Sequence, residues 1–177
     1  MAPATLCAAF LVICSAQSQT VQEKADPVSF FDVLDLPARI DEPKLSRGKD
    51  KYLLNCAVAN RSGEPLLGLR LILITVDSAG KLRTPVTWSE ESELADYSIK
   101  TFQFNLHLKD KARTGDRYFL AIDEVIGSET IWRAVDSEKA LRAYARGQND
   151  VVPTVRMVAN KYDGNRQPLV IPLEEKY

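Results

Sequence analysis

The sequence predicts a mainly β fold: an antiparallel β-sandwich carrying one short helix and a C-terminal β-hairpin. Three observations predict it. Stretches that alternate apolar and polar residues recur at strand length, divided by clusters of Gly, Pro, Asn and Asp. One stretch, Gly68 to Val76, is apolar on both faces, with Leu69, Leu71 and Leu73 pointing one way and Ile72, Ile74 and Val76 the other. Helical periodicity is convincing only once, so the repeated βαβ pattern of a parallel sheet is missing.

At 177 residues the chain suits one domain whose core needs no disulfide staples. Its 23 basic and 24 acidic residues nearly cancel and the basic ones are scattered, which argues against nucleic acid as a partner. Residues 1–18 read as a signal peptide. No charged side chain precedes Glu23, Leu6 to Cys14 is apolar, and Ala16 and Ser18 suit cleavage before Gln19. That run is too short to span a bilayer as a helix, so no integral membrane span is expected. Leu11-Val-Ile-Cys14 resembles a lipoprotein box, in which the Cys is acylated, but Ile13 stands where the box wants a small residue. The expected location is therefore periplasmic or extracellular. Residues 19–27 are polar, close on Pro27 and read as a flexible lead-in. Loss of the leader takes Cys7 and Cys14 with it. Cys56 then stands alone in an apolar strand pattern, as a small buried hydrophobe more than a reactive thiol.

Residues 28–177 form the single domain. Val28 to Leu34 reads as a first strand. Pro37 to Lys51, charged and holding Pro43 and Gly48, reads as an irregular edge or long loop. Tyr52 to Ala59 alternates, with Tyr52, Leu54, Cys56 and Val58 on one face. Asn60 to Pro65 is a turn cluster before the central strand, and Asp77 to Gly80 suits a type I turn after it. Lys81 to Trp88 is expected to pair back at an edge because of Pro85, and Ser89 to Glu93 reads as an acidic loop. Tyr97 to Leu108 alternates most cleanly: Phe102, Phe104, Leu106 and Leu108 inward, Thr101, Gln103, Asn105 and His107 outward. Arg117 to Ile126 follows, with Tyr118, Leu120, Ile122 and Ile126 inward, and then Thr130 to Val135 with Trp132. Residues 137–146 read as a helix with Asp136 as N-cap, a Glu138–Arg142 pair and Gly147 as a left-handed cap. It is too short to persist alone in water, so Leu141 and Tyr144 should dock it on the sheet. Residues 151–173 complete the domain as a hairpin of two apolar runs around Asp163-Gly164.

Val58-Ala-Asn60-Arg-Ser-Gly63-Glu-Pro65-Leu, followed by Leu69 to Gly80, resembles the FxLYD-type domains of bacterial exported proteins. Thr101-Phe-Gln-Phe-Asn-Leu106 is similar to that family's later strand, although Asp96-Tyr97 stands where a Gly is expected. The resemblance covers roughly residues 50–108. It implies an immunoglobulin-like sandwich, outside the cytoplasm, with no established chemistry.

The chain carries few residues in patterns that point to chemistry. His107 is the only histidine, and no Gly-x-Ser-x-Gly accompanies it. Ser46-Arg-Gly-Lys49 matches a bare Ser-x-x-Lys pattern without its companion motifs. One His and one mature Cys make a zinc site improbable. Glu90, Glu91, Glu93 and Asp96 crowd one loop and Asp163 to Asn165 another, but neither follows the EF-hand spacing. No metal and no cofactor is expected. Asn60-Arg-Ser62 matches a glycosylation acceptor. Trp88, Tyr97 and Trp132 are the candidate ligand-binding residues, as an aromatic platform for sugar or peptide; the simpler reading is packing. The expected function is a non-catalytic exported domain for protein interaction or envelope structure, with another envelope or secreted protein as partner. A carbohydrate- or peptide-binding module is the alternative, and a hydrolase with a carboxylate pair a distant third.

Overall fold

The computed structural model describes residues 25–47, 51–108 and 113–160. The leader, most of the lead-in and the Asp163-Gly164 turn lie outside them. The elements are β1 (Asp26–Phe31), β2 (Ala38–Arg47), β3 (Tyr52–Asn60), β4 (Leu66–Val76), β5 (Val86–Leu94), β6 (Ile99–Leu106), β7 (Arg117–Gly127), β8 (Thr130–Val135), α1 (Ser137–Ala145) and β9 (Thr154–Ala159).

The strands make one mixed sheet in the order β5-β4-β7-β1-β2-β3-β6, with β8 on β7 and β9 on β8. The sheet curls until its end strands, β5 and β6, are joined by a turn, which makes it nearly barrel-shaped. The mainly β expectation holds. The purely antiparallel one does not, because β1 runs parallel to β7, Val28 opposite Tyr118 through Phe31 opposite Ala121. The first strand begins at Asp26, inside the expected lead-in, and ends at Phe31.

Two departures from the expected element order have clear causes. Residues 38–47 form a strand, not an irregular edge. Its apolar period is broken where the register shifts between Asp41 and Lys44, beside Glu42 at φ 49. Ile40 and Leu45 are therefore both buried although an odd number of positions separates them. Residues 89–93 are strand too. In β5, Trp88, Glu90 and Leu94 face inward while Thr87, Ser89, Glu91 and Glu93 meet solvent, so the acidic residues mark a wet face. Lys81 to Pro85 make only one bridge, Leu82 to Val76.

The two-faced burial of β4 follows from what lies on each side. Leu69, Leu71 and Leu73 join Leu45, Leu54, Val58, Phe104, Leu106, Leu120 and Ile122 in the barrel interior. Ile72, Ile74 and Val76 lie outside it, under Leu141 and Ala145 of α1 together with Phe119 and Ala121. Tyr144 packs against Phe31, ring centroids 5.1 Å apart, and edge-on against Phe119 at 6.0 Å. The expected docking of the helix through Leu141 and Tyr144 is met. So is the burial of Leu71, Ile72, Phe104, Leu120 and Ile122, while Phe102 is half-buried.

Opposite β4, β7 carries a bulge. Arg70 faces Glu124 and Leu71 faces Ile122, which leaves Asp123 as the extra residue. The bulge shifts the alternation, so Val125 points inward and Ile126, expected there, is half-buried. It also divides one edge of β7 between β1 and β8, since β8 begins pairing at Glu124. Asp136 precedes α1 as expected, but at φ 63 its side chain makes no cap bond. The Ser137 hydroxyl donates instead to Asp123, tying the helix start to the bulge. Gly147 at φ 78 closes the helix, its N–H donating to Tyr144 O at 2.9 Å, and Glu138 pairs with Arg142 at 2.7 Å.

Candidate functional site

β1, β3, β5 and β7 all run toward the same end of the barrel, as their pairings require. The loops that follow them form one rim. Short hydrogen bonds join loop to loop. Arg61 N–H donates to Pro37 O at 2.6 Å, Tyr97 N–H to Ser62 O at 3.3 Å and Ser128 N–H to Pro65 O at 3.0 Å. Asn60 is the knot. Its Nδ2 donates to the carbonyls of Glu64 at 2.9 Å and Ala95 at 3.0 Å, and its Oδ1 accepts from Ser62 N–H at 2.8 Å and the Ser62 hydroxyl at 2.7 Å. The glycosylation reading fails for the folded chain. Asn60 is buried, and the nitrogen that would carry a glycan is engaged with backbone.

Glu64 extends the knot to the β7–β8 turn. Its carboxylate accepts from Glu129 N–H at 2.6 Å and the Ser128 hydroxyl at 3.0 Å. Partial burial would raise this carboxyl, but those donors outweigh it and hold the group below its ordinary value.

On this braced rim stand three large apolar residues in solvent. Leu34 is 82% exposed, Tyr97 73% and Ile99 70%. Tyr97 is held at φ 47, a conformation that costs a non-glycine residue energy. Its ring packs close to Gly63: a Cβ there would stand 3.2 Å from the Tyr97 hydroxyl. The tip of the Tyr97 ring therefore lies over Gly63, while the residue as a whole stays exposed.

The three aromatic candidates are not brought together. Trp132 is half-buried near the rim, tight against Gly127, where a Cβ would come within 2.7 Å of its ring. Trp88 lies opposite Leu71 and packs on the interior core; its Nε1–H is enclosed and makes no hydrogen bond among the described residues. Only Tyr97 offers an open ring face. Leu34 escaped the sequence reading because it closes a strand-like apolar run, and the flanking Asp32 and Asp35 were the signal that the strand had ended; Ile99 shares the outward parity of Thr101 and Gln103, which was its signal.

The remaining chemistry is quiet. Burial pushes the Cys56 thiol up to about 12, so it stays protonated. Burial also raises Glu90, on the inward side of β5. Asp123 and Glu124, adjacent carboxylates at the bulge, are each paired: Arg70 lies 2.5 Å from Asp123, and Arg133 contacts Glu124. His107 is exposed beyond the end of β6. The acids of 90–96 do not converge, because strand alternation sends Glu90 inward and Glu91 and Glu93 outward. Among the described residues no three His, Cys, Asp or Glu side chains are placed to hold a metal ion, and no helix is long and apolar enough to cross a membrane. Lys49 of the Ser-x-x-Lys pattern lies outside the described residues. Compared with protein-family models, curated proteins and solved structures, the chain matches none.

Proposed function

We propose that this chain is a non-catalytic exported domain that binds another envelope or secreted protein through the rim residues Leu34, Tyr97 and Ile99. One observation carries the reading: Tyr97 stays in a strained backbone conformation while exposing its ring. Strain of this kind persists where the surrounding structure enforces it, and such positions cluster at binding sites. Tyr is also the residue type that supplies large contact area at low entropic cost. The signal-like leader supports export, and the resemblance to FxLYD-type domains supports an immunoglobulin-like, extracytoplasmic module without chemistry of its own.

A sugar-binding platform needs several open ring faces, and here Trp88 is turned inward and Trp132 is half-covered. A protein partner is therefore the better fit. The test is site-specific photo-crosslinking in the native envelope. A probe at Tyr97 or Ile99 is expected to trap a discrete protein adduct, and a probe at Lys81, exposed at the other end of the barrel, is not. Absence of adducts at the rim counts against the reading. Quenching of tryptophan fluorescence by soluble oligosaccharides would favour the carbohydrate alternative instead.

A further inference from the structure

At the end of the barrel opposite the rim, where β4 ends and β7 begins, a cleft of 380 Å³ lies between the end of α1 and the turn after β4. Val76, Leu82 and Ala145 give it apolar walls. Its charged lining residues are both arginines, Arg117 and Arg146. Gly80 and Gly147 complete it, and a Cβ on either would meet nothing within 4 Å, so those walls are open backbone.

Elsewhere arginines are matched by acids. Arg39, Arg61, Arg70, Arg83, Arg133 and Arg142 each pair with a carboxylate. Arg117 and Arg146 form no ion pair among the described residues, yet they share one cleft. The acids at this end are already engaged. Asp116 pairs with Arg83 at 3.1 Å, accepts from Arg113 N–H at 2.7 Å and is buried at its carboxylate. Asp77 accepts from Ala79 N–H at 3.0 Å and Lys81 N–H at 2.9 Å, which ties up the turn. Lys81, exposed between Gly80 and Leu82, adds a third cation.

We propose that Arg117 and Arg146 form a binding site for a phosphate-type oxyanion, separate from the rim. Each guanidinium offers a fork of N–H donors that matches the oxygens of a phosphate group. Two cations that share a cleft without a counter-ion repel each other, and an anion between them removes that repulsion. Both side chains start from fixed backbone. Arg117 opens β7, with its guanidinium 5.9 Å from the centre of the Phe119 ring. Arg146 closes α1, its N–H donating to Ala143 O at 2.9 Å. A cation at a helix C-terminus also suits the helix dipole, which accounts for Arg146 alone. It does not account for Arg117, which comes from a different element. Nor does it occupy the Arg146 guanidinium, because the carbonyls of Ala143 and Tyr144 accept from the backbone N–H groups of Arg146, Gly147 and Gln148. A second cleft, of 450 Å³, shares Arg146, but Asp136 and Glu138 stand in its walls and oppose an anion there.

Titration of the full chain with inorganic phosphate, at an ionic strength held constant with sodium chloride, tests the proposal. The Nε–H NMR signals of Arg117 and Arg146 are expected to shift together and saturate, while that of the exposed Arg156 stays in place. Arg117→Gln and Arg146→Gln are each expected to weaken binding about tenfold or more, since each removes charged hydrogen bonds. Both side chains are exposed, so the variants should melt like wild type. Vesicles of phosphatidylcholine with phosphatidylglycerol identify the source of the phosphate. Co-sedimentation that both Gln variants lose, and that phosphatidylcholine alone does not support, assigns the site to a lipid headgroup. Saturable phosphate binding without such variant-sensitive co-sedimentation assigns it to a free phosphate compound. Shifts that never saturate, shifts that sodium chloride alone reproduces, or Gln variants that bind phosphate like wild type overturn the proposal.

Discussion

The side-chain amide of Asn60 donates to the carbonyl of Ala95 at 3.0 Å and so binds the loop after β3 to the turn between β5 and β6. The same nitrogen reaches Glu64 O within its own loop. This one residue holds the platform on which Tyr97 stands, because Tyr97 N–H bonds the loop at Ser62 O.

Removal of that amide takes a donor from the part-buried carbonyls of Glu64 and Ala95, which keep only the Ser62 and Ser98 hydroxyls, and takes the acceptor of Ser62. Asn60→Ala is expected to cost about 1–3 kcal/mol for the several hydrogen bonds that this buried side chain gives up. Asn60→Asp should cost at least as much, since a carboxylate cannot donate to Ala95 or Glu64. Urea unfolding of both variants measures this. A loss below about 0.5 kcal/mol in either, the range of ordinary surface changes, would show that the knot is not needed.

Glu64 gives the rim a pH dependence. Its folded pKa lies below the ordinary 4.5, held there by the Glu129 and Ser128 donors despite burial. A depressed carboxyl adds stability that is present above the unfolded value and is lost as pH falls through the folded one. Wild type is therefore expected to melt above Glu64→Gln near neutral pH. The gap should close as the pH drops below the unfolded value of 4.5. Melting temperatures of the two proteins across that range decide it; a gap that is constant with pH contradicts the assignment.

The core predicts a larger effect. Phe104 is 3% exposed and stacks on Phe102 at 5.5 Å. Phe104→Ala is expected to cost about 3–5 kcal/mol. Leu141, fully buried beneath α1 on the other face of β4, should cost about 2–5 kcal/mol on truncation to Ala. If Leu141→Ala unfolds with wild-type stability, the helix is not part of the cooperative unit.

Much of this fold was legible in the sequence, and the failures have local causes. The two-faced apolar pattern of Leu69 to Val76 reads directly as a strand between two apolar layers. Strict alternation identified β3 and β6 as well. Alternation failed wherever a bulge inserts a residue. Glu42 disguised β2, and Asp123 moved the inward role from Ile126 to Val125. No local pattern announces a bulge. The parallel contact of β1 with β7 was likewise hidden, because a long-range pairing leaves no mark on either strand alone. At the site, sequence singled out Tyr97 for its chemistry. It could not foresee that Trp88 turns inward, since aromatic residues serve the core and the surface alike.

Tyr97 separates the binding reading from a purely structural one. A non-glycine residue in the left-handed region pays about 1–2 kcal/mol, which glycine avoids. Tyr97→Gly relieves that cost and gives up the contact with Gly63, so the two effects oppose each other. Stability is expected to stay within about 1 kcal/mol of wild type. If Tyr97 is there to bind, the variant should instead lose the partner: a photo-crosslinker at Ile99 would trap its adduct in the wild-type background and fail to do so beside Gly at position 97. Circular dichroism melts and adduct yield, measured on the same preparations, read the two quantities independently. A large loss of stability would make Tyr97 a packing residue. An undiminished adduct from a stable variant would remove it from the interface and leave Leu34 and Ile99 as the contacts to test.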